Sequence, residues 1–277
     1  QFPDEVGDSF RHSGTVHLLA VSGLHIGIVA AAVWLVLRGF AGLGVWREIC
    51  TIAIVVVYAA LAGGRPPAMR ATVLLTVFLM SRAAGRRTDA WNGLAMAAGL
   101  LLAWRPVELF QVGFQLSFLA CGGIVAFLRL VPVRTGGLRG WFAGACGVSA
   151  GAWMAVTPLI WMRFHLFTPV ALVANVVLVP LLSVVLIGGL CALLLGSVPL
   201  LGSLAVGVTD AVLSAMLWGA DAFGSLPAAS VYVAGPCASR CALIYLAWAA
   251  CLVLWRPTRT AHHVGRCCAV LLLLGAL

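Results

Sequence analysis

The 277-residue chain contains no lysine, and charged side chains make up only 9% of it. A soluble globular domain carries charge on about a quarter of its residues. Hydrophobic residues account for 63% of the chain, and the mean hydropathy is +1.10. The scarcity of charge excludes an ordinary soluble domain and predicts an all-α, polytopic transmembrane helical bundle.

Metal-binding and redox patterns are also missing from the sequence. The nine cysteines lie mostly in apolar runs, and none has the paired spacing of a zinc site. Cys237 and Cys241 lie in a loop rich in Gly and Pro and could form a disulfide if that loop is exported. We therefore expect no metal, no cofactor and no catalytic residue in this chain.

The chain is predicted to contain about ten membrane spans, some of them short, kinked or re-entrant. Their approximate ranges are 15–37, 46–64, 67–85, 90–104, 107–128, 139–162, 168–195, 199–223, 240–255 and 265–277. The second and third spans are joined only by Arg65-Pro66 and are short enough to form a re-entrant pair. The seventh contains Pro180 and Gly188-Gly189, which predict a kink or a break.

Residues 1–14 are polar and are interpreted as an extracytoplasmic linker from a preceding domain, followed by one transmembrane domain over 15–277. The chain begins with Gln1 and ends inside an apolar run, so we expect it to be part of a longer protein, truncated at its C-terminus. Most of the 17 arginines fall in alternate connections, namely 38–47, 82–89, 129–139, 195–199 and 255–266. The excess of cytoplasmic arginine in membrane proteins then predicts a multi-pass inner-membrane protein with residue 1 outside.

Ionisable side chains occur inside the first predicted span. No formal charge lies between Thr15 and Leu37, and a helix over these residues would be about 35 Å long, enough to cross a bilayer core of about 30 Å. In such a helix His25 lies about 15 Å below Thr15, near the midplane. Ionisable groups at that depth usually face a bundle interior or a water-filled cavity. The alternative is that His25 only forms a hydrogen bond to a neighbouring helix.

Other polar side chains are predicted in the same outer half of the membrane. Arg70 lies about one turn below the Arg65 turn, and Gln111 and Gln115 share a helix face. Together the residues predict an outward-facing, water-filled vestibule. Its expected lining residues are His17, Ser22, His25, Arg65, Arg70, Gln111, Gln115, Ser117 and Asn175. Snorkelling of Arg70 to the interface and simple interhelical bonds of the glutamines remain as alternatives.

Four motifs together resemble the competence domain of the ComEC family, with matching order and spacing over about residues 10–255. They are His17-Leu-Leu-Ala-Val-Ser22-Gly23-Leu24-His25, Arg65-Pro-Pro-Ala-Met-Arg70-Ala71, Gly113-Phe-Gln115-Leu-Ser117-Phe118 and Asn175-Val-Val-Leu-Val-Pro180-Leu181. The resemblance implies an inner-membrane channel that takes up single-stranded DNA during natural transformation. It also implies an outer location for both ends of the domain.

The resemblance further implies neighbouring domains and several partners. Members of that family carry a preceding oligonucleotide-binding-type domain and usually a following metallo-β-lactamase-like domain. This chain has neither, and it lacks a His-x-His-x-Asp-His sequence, so any nuclease activity must lie outside these residues. The expected partners are single-stranded DNA, the lipid bilayer, other competence proteins and extracytoplasmic domains of the same polypeptide. A homo-oligomer is left open.

Two other functions are compatible with the sequence. One is a small-molecule permease. The other is an intramembrane serine protease, because Ala20-Val21-Ser22-Gly23 is similar to the Gly-x-Ser-Gly of rhomboid-type enzymes. In those enzymes, however, the histidine comes from a different helix, whereas here His25 is three residues from Ser22.

Overall fold

A computed structural model describes residues 4–254, apart from 41, 87–88, 131–136 and 228. Within these residues the fold is almost entirely helical, which confirms the all-α prediction. The helices are α1 (Asp4–His12), α2 (Gly23–Arg38), α3 (Trp46–Leu61), α4 (Pro66–Ala83), α5 (Ala90–Trp104), α6 (Val112–Leu130), α7 (Gly137–Phe164), α8 (Ala171–Leu195), α9 (Pro199–Gly224) and α10 (Ala238–Leu254). Two 3₁₀ turns, Val16–Leu18 and Pro106–Phe110, and two short strands, β1 (Leu166–Phe167) and β2 (Val231–Tyr232), complete the described part.

The predicted continuous helix over 15–37 is wrong. The chain forms a 3₁₀ turn at Val16–Leu18, and α2 begins only at Gly23. Ser22 adopts an extended conformation as the N-cap of α2. Serine favours this position because its hydroxyl competes with the backbone for hydrogen bonds inside a helix. The depth of about 15 Å for His25, which assumed an unbroken helix, therefore does not hold.

The predicted linker contains a helix that packs onto the bundle. Phe10 of α1 is fully buried in a cluster with Leu178 of α8 and Met216 of α9. Ser9 Oγ donates a 3.0 Å hydrogen bond to a carboxylate oxygen of Asp221 near the end of α9. The segment before the first long helix is thus attached to α8 and α9.

Helices α3 to α9 lie close to the corresponding predicted apolar stretches. Four of the described helices are long and apolar enough to cross a membrane: α6, α7, α8 and Leu200–Gly224 within α9. Three shorter apolar helices occur at Gly23–Arg38, Ala90–Trp104 and Ala238–Ala250. A bundle of ten spans is not established by these helices, and the tenth predicted span, 265–277, lies outside the described residues.

Two predicted boundaries differ from the structure. The fifth predicted span does not begin as an α-helix at 107, because a 3₁₀ turn occupies Pro106–Phe110 and α6 starts at Val112. In the seventh span, α8 continues from Ala171 to Leu195 through Pro180, so a break at that proline is excluded. Neighbouring helices in a bundle can accommodate a proline inside a helix of this kind.

Five helices form what we call the helix ring. Each contacts the next in the order α2, α4, α6, α7, α8, and α8 contacts α2. Among the described residues, non-adjacent helices of this ring make at most isolated contacts with one another. The five helices therefore form a closed cycle of contacts. Helix α3 contacts α2 and α4, α5 contacts α4 and α6, and α9 contacts α8.

Glycines permit the closest approach within the ring. A Cβ atom added to Gly123 of α6 would clash with the backbone oxygen of Gly151 and with Ala155 of α7. Conversely, a Cβ on Gly151 would lie 2.8 Å from the backbone oxygen of Gly123. Small residues commonly allow membrane helices to pack with their backbones in contact. The α6–α7 contact depends on these two glycines.

Candidate functional site

The predicted site residues lie near the starts of the ring helices at one end of the bundle, which we call the site end. Successive helices run antiparallel through short connections, so α2, α4, α6 and α8 all begin at this end. His25 is the third residue of α2, Arg70 the fifth of α4, Gln115 the fourth of α6 and Asn175 the fifth of α8. At about 1.5 Å per residue, each lies within about 6 Å of the start of its helix. The shared membrane depth predicted for these residues thus corresponds to a shared position in the first turns of their helices.

Ser22 and His25 form a local pair at the start of α2. The backbone N–H of Ser22 donates to Nδ1 of His25 over 3.3 Å, and Ser22 Oγ lies 3.1 Å from the same nitrogen. Because a backbone N–H can only donate, Nδ1 must act as an acceptor and the ring proton of the neutral histidine is on Nε2. The reciprocal arrangement caps α2. His25 is buried.

His17 precedes this pair in the 3₁₀ turn Val16–Leu18. Its side chain is exposed. The turn is attached to the bundle through Leu18, which is buried in the cluster formed with α8 and α9. The turn thus places His17 before α2, and not on one continuous helix with His25 as predicted.

Arg70 connects α4 to the start of α6. Its side chain is 5% exposed, and its Nη1 donates to a carboxylate oxygen of Glu108 over 3.4 Å. Its Nη2 donates to the backbone oxygen of Gly113 over 3.0 Å, whereas its Nε is buried and has no partner among the described residues. Burial of a guanidinium is costly unless it is paired and hydrogen-bonded. Glu108 and Gly113 supply that compensation.

The remaining predicted residues on α4 and α6 are more exposed. Arg65 is an exposed residue at the N-cap of α4. Gln111 is exposed at the end of the 3₁₀ turn, and Nε2 of the half-buried Gln115 donates to the backbone oxygen of Leu109 over 3.0 Å. Ser117 is half-buried two residues further along α6. The hydrogen bond from Gln115 thus links the 3₁₀ turn Pro106–Phe110 to the start of α6.

Asn175 lies on α8, which contacts both α2 and α7 in the helix ring. Because α8 begins at Ala171, Asn175 lies about 6 Å along the helix and not the predicted 10 Å. Its Oδ1 is buried and has no hydrogen-bond partner among the described residues. A buried carbonyl oxygen without a partner costs about 1–3 kcal/mol. The unpaired Oδ1 of Asn175 therefore carries an energetic penalty in the fold.

The electrostatic field at the site end favours anions. Each helix start carries unpaired backbone N–H groups and the equivalent of about half a positive charge. Four ring helices start here, and the guanidinium of Arg65 is exposed beside them. Glu108 is already paired with Arg70. The arrangement is suited to an approaching phosphate group.

Several residues that organise this end were not predicted from the sequence. Glu108 pairs with Arg70, and its one sequence signal is an acid within an otherwise apolar segment. Ser149 Oγ donates to the backbone oxygen of Leu172 over 2.7 Å, and Trp153 Nε1 donates to that of Thr168 over 2.9 Å. Both bonds hold α7 against the start of α8. Among the described residues, no group of three potential metal ligands occurs.

The loops that follow α7 and α9 also meet at the site end. Strands β1 and β2 pair antiparallel, with Leu166 opposite Tyr232. The backbone N–H of Gly235 donates to Nδ1 of His165 over 3.0 Å. Cys237 is exposed and Cys241 buried, and both are free thiols in the structure, so the disulfide considered above is not formed there.

The composition and the long apolar helices define a helical membrane protein. The chain belongs to the competence protein family, whose sequence profile matches residues 1–258. This confirms the family assignment drawn from the four motifs.

Individual relatives agree with the family assignment. The chain is 29% identical over 195 residues to ComE operon protein 3 of Bacillus subtilis, covering 68% of this chain and 24% of that protein. It is 31% identical over 196 residues to competence protein ComA of Neisseria gonorrhoeae, covering 61% and 28%. It is 25% identical over 193 residues to recombination protein 2 of Haemophilus influenzae, covering 64% and 24%. The chain thus aligns with about a quarter of the length of each, and no solved structure matches it.

Proposed function

We propose that the helix ring is an inner-membrane conduit for single-stranded DNA during natural transformation. The observation that carries the proposal is the closed ring α2, α4, α6, α7, α8, with the predicted site residues at the starts of four of its helices. Membership of the competence protein family supports a part in DNA uptake for transformation. The conduit role and its substrate are our inference.

The chemistry of the site end fits a transported polyanion. Helix starts and Arg65 attract phosphates electrostatically, whereas Arg70 is already paired with Glu108 and adds little net field. A conduit must bind its substrate weakly enough to release it. Half-buried hydrogen-bonding groups such as Gln115, Ser117 and Asn175 provide weak contacts of that kind. Exposed arginines in a tight cluster would hold DNA too strongly.

The proposed orientation places the site end outside. The other end of the bundle, which we call the inner end, carries Arg38, Arg47, Arg82, Arg86 and Arg129, and the alternate connections predicted for that side hold eleven of the 17 arginines in the sequence. An excess of arginine marks the cytoplasmic side of membrane proteins. DNA delivered by an extracytoplasmic domain of the same polypeptide, or by other competence proteins, would meet the site end first. A second copy of the chain is not needed to close the ring.

Asn175 provides the test of this proposal. In the full-length protein in a transformable host, Asn175→Leu should lower uptake of labelled DNA at least about tenfold, because it replaces an unpaired polar group with an apolar one. The matched control is Val173→Leu, since Val173 is exposed on the same helix and should tolerate the change. Both variants must accumulate equally in the membrane. Normal DNA uptake by the Asn175→Leu variant would show that Asn175 does not contribute to the proposed conduit.

One observation favours the intramembrane serine protease as a second candidate. Ser22 Oγ and His25 Nδ1 lie 3.1 Å apart, within the range of a nucleophile and its base. The same nitrogen, however, accepts the backbone N–H of Ser22, and no hydrogen bond joins His25 to a carboxylate among the described residues. A cap explains the pair without catalysis. Loss of peptide cleavage in a Ser22→Ala variant would favour the protease.

A further inference from the structure

The inner end of the bundle contains a cleft that the proposed conduit does not use. It lies between the start of α3 and the end of α4 and has a volume of about 500 Å³. The side chains of Arg47, Glu48, Arg82 and Arg86 line it, together with Gly44 and Gly85. Both glycines have positive φ angles, +47° and +67°, and no atom lies within 4 Å of an added Cβ. The turns that flank the cleft are thus open.

The cleft carries a net positive charge. Three guanidinium groups line it, and Glu48 is the one acid among the described residues that do so. The Glu48 side chain is only 5% exposed, and its Oε1 lies 3.1 Å from Arg47 and 3.8 Å from Arg82. Glu48 therefore holds two of the arginines in position and neutralises part of their charge. The backbone N–H of Arg86 donates to the backbone oxygen of Ser81 over 3.1 Å, whereas its guanidinium forms neither an ion pair nor a hydrogen bond among the described residues.

Trp34 of α2 organises the arginines further. The guanidinium carbons of Arg47, Arg82 and Arg38 lie 4.8, 5.5 and 5.8 Å from the centre of its ring. Stacking on the aromatic ring offsets part of the repulsion between them. Arg47 Nε is buried and has no partner among the described residues. A preorganised group of cations is suited to an anionic ligand.

The surface beside the cleft is apolar. Val45 lines the cleft, and the adjoining side chains of Phe40 and Trp46 are 64% and 61% exposed. Leu35 and Val36, in the last turns of α2, are also exposed. In a membrane these side chains face acyl chains, and tryptophan favours the level of the headgroups. A ligand that is complementary to both the cationic cleft and the apolar surface beside it has an anionic headgroup and an apolar tail.

We propose that this cleft binds the headgroup of an anionic phospholipid in the leaflet at the inner end. Arg82 and Arg86 contact the phosphate, Glu48 fixes the geometry, and the exposed apolar side chains contact the acyl chains. Basic pockets between membrane helices bind anionic headgroups in this way. The inference does not depend on DNA transport, because it concerns the opposite end of the bundle and other residues.

Lipid titration monitored by native mass spectrometry tests the proposal. The full chain is purified in detergent and titrated with phosphatidylglycerol or with phosphatidylcholine of the same chain length. We expect phosphatidylglycerol to bind at least about tenfold more tightly. Arg86→Gln should weaken it about fivefold, and the double variant with Arg82→Gln should weaken it further, since each arginine near the headgroups contributes about that factor.

Arg163→Gln is the matched control, because Arg163 is exposed at the site end of α7 and should not affect lipid binding. Arg86 is exposed and lies in a turn, so its substitution should leave the melting temperature unchanged. Three results would overturn the proposal. They are equal affinity for the two lipids, equal weakening by Arg163→Gln and Arg86→Gln, and displacement of phosphatidylglycerol by excess inorganic phosphate, which would assign the cleft to a free anion.

Discussion

Arg70 Nη2 donates a hydrogen bond of 3.0 Å to the backbone oxygen of Gly113, across 43 residues of sequence. A Cβ atom on Gly113 would lie 3.2 Å from that same nitrogen, so the absence of a side chain makes room for the guanidinium. Two motifs that are distant in the sequence are thus parts of one contact between α4 and α6. The contact fixes two neighbouring members of the helix ring at the site end.

Breaking the Arg70–Glu108 pair should destabilise the protein strongly. Arg70→Ala leaves Glu108, which is 12% exposed, without its counter-charge, and we expect a loss of about 3 kcal/mol. Arg65→Ala is the control and should change stability by less than about 0.5 kcal/mol, since that side chain is exposed. Thermal unfolding in detergent measures both variants. The double variant Arg70→Met/Glu108→Leu should recover much of the loss, and similar losses for Arg65 and Arg70 would contradict the pairing argument.

Substitutions of His25 should distinguish a role in hydrogen bonding from a role that requires only side-chain volume. His25→Gln retains an acceptor that can reach the backbone N–H of Ser22, whereas His25→Leu retains only apolar volume. Loss of the cap should cost about 1 kcal/mol. We expect the Gln variant to keep most DNA uptake and the Leu variant to lose it. Full uptake by the Leu variant at normal abundance would show that the bond between Ser22 and His25 is dispensable.

The α6–α7 contact should not tolerate a larger residue at Gly123. Gly123→Ala places a methyl group against the backbone of Gly151, and we expect a loss of about 1–3 kcal/mol from overpacking. Gly99→Ala in α5 is the control, because no atom lies within 4 Å of its added Cβ. That change should be neutral or slightly stabilising. Comparable melting temperatures for the two variants would rule out close packing at Gly123.

Asp89, at the inner end, should contribute to the stability of the protein in a manner that depends on pH. The backbone N–H of Trp91, and next the guanidinium of Arg129, which donates over 2.7 Å, lower the pKa of Asp89 below its ordinary value of 3.8. A carboxyl group whose pKa is lowered by folding contributes stability above its unfolded pKa and loses it as the pH falls through the folded pKa. Asp89→Asn should therefore lower the melting temperature at neutral pH and have less effect below pH 3.8. An equal effect at both pH values would show that the charge is irrelevant.

Much of the fold could be predicted from the sequence, because long apolar runs have few alternatives in a membrane. A run such as 171–195 must satisfy its backbone hydrogen bonds internally, which requires a helix. The position of Arg70 about one turn after the start of its helix was also predicted, because the apolar run that follows Arg65-Pro66 requires a helix as well. The four motifs carried the family assignment independently of any structure.

The interruption before α2 could not be predicted from hydropathy. Residues 15–37 are equally apolar whether the chain is one helix or a 3₁₀ turn followed by a helix. What decides between them is the capping of α2 by Ser22 and His25, together with the burial of Phe10 and Leu18 against α8 and α9. The second of these is a contact between segments about 160 or more residues apart in the sequence.

Composition and local pattern determined that this chain is a helical membrane protein of the competence family with polar groups near several helix starts. Tertiary structure alone decided that Glu108 and Gly113 receive the guanidinium of Arg70, that five helices close into a ring, and that Asn175 Oδ1 has no partner among the described residues. Helix formation depends on residues within a few positions of one another, so the sequence reports it directly. The choice of neighbouring helices depends on shape and charge complementarity between distant segments, which no local pattern records.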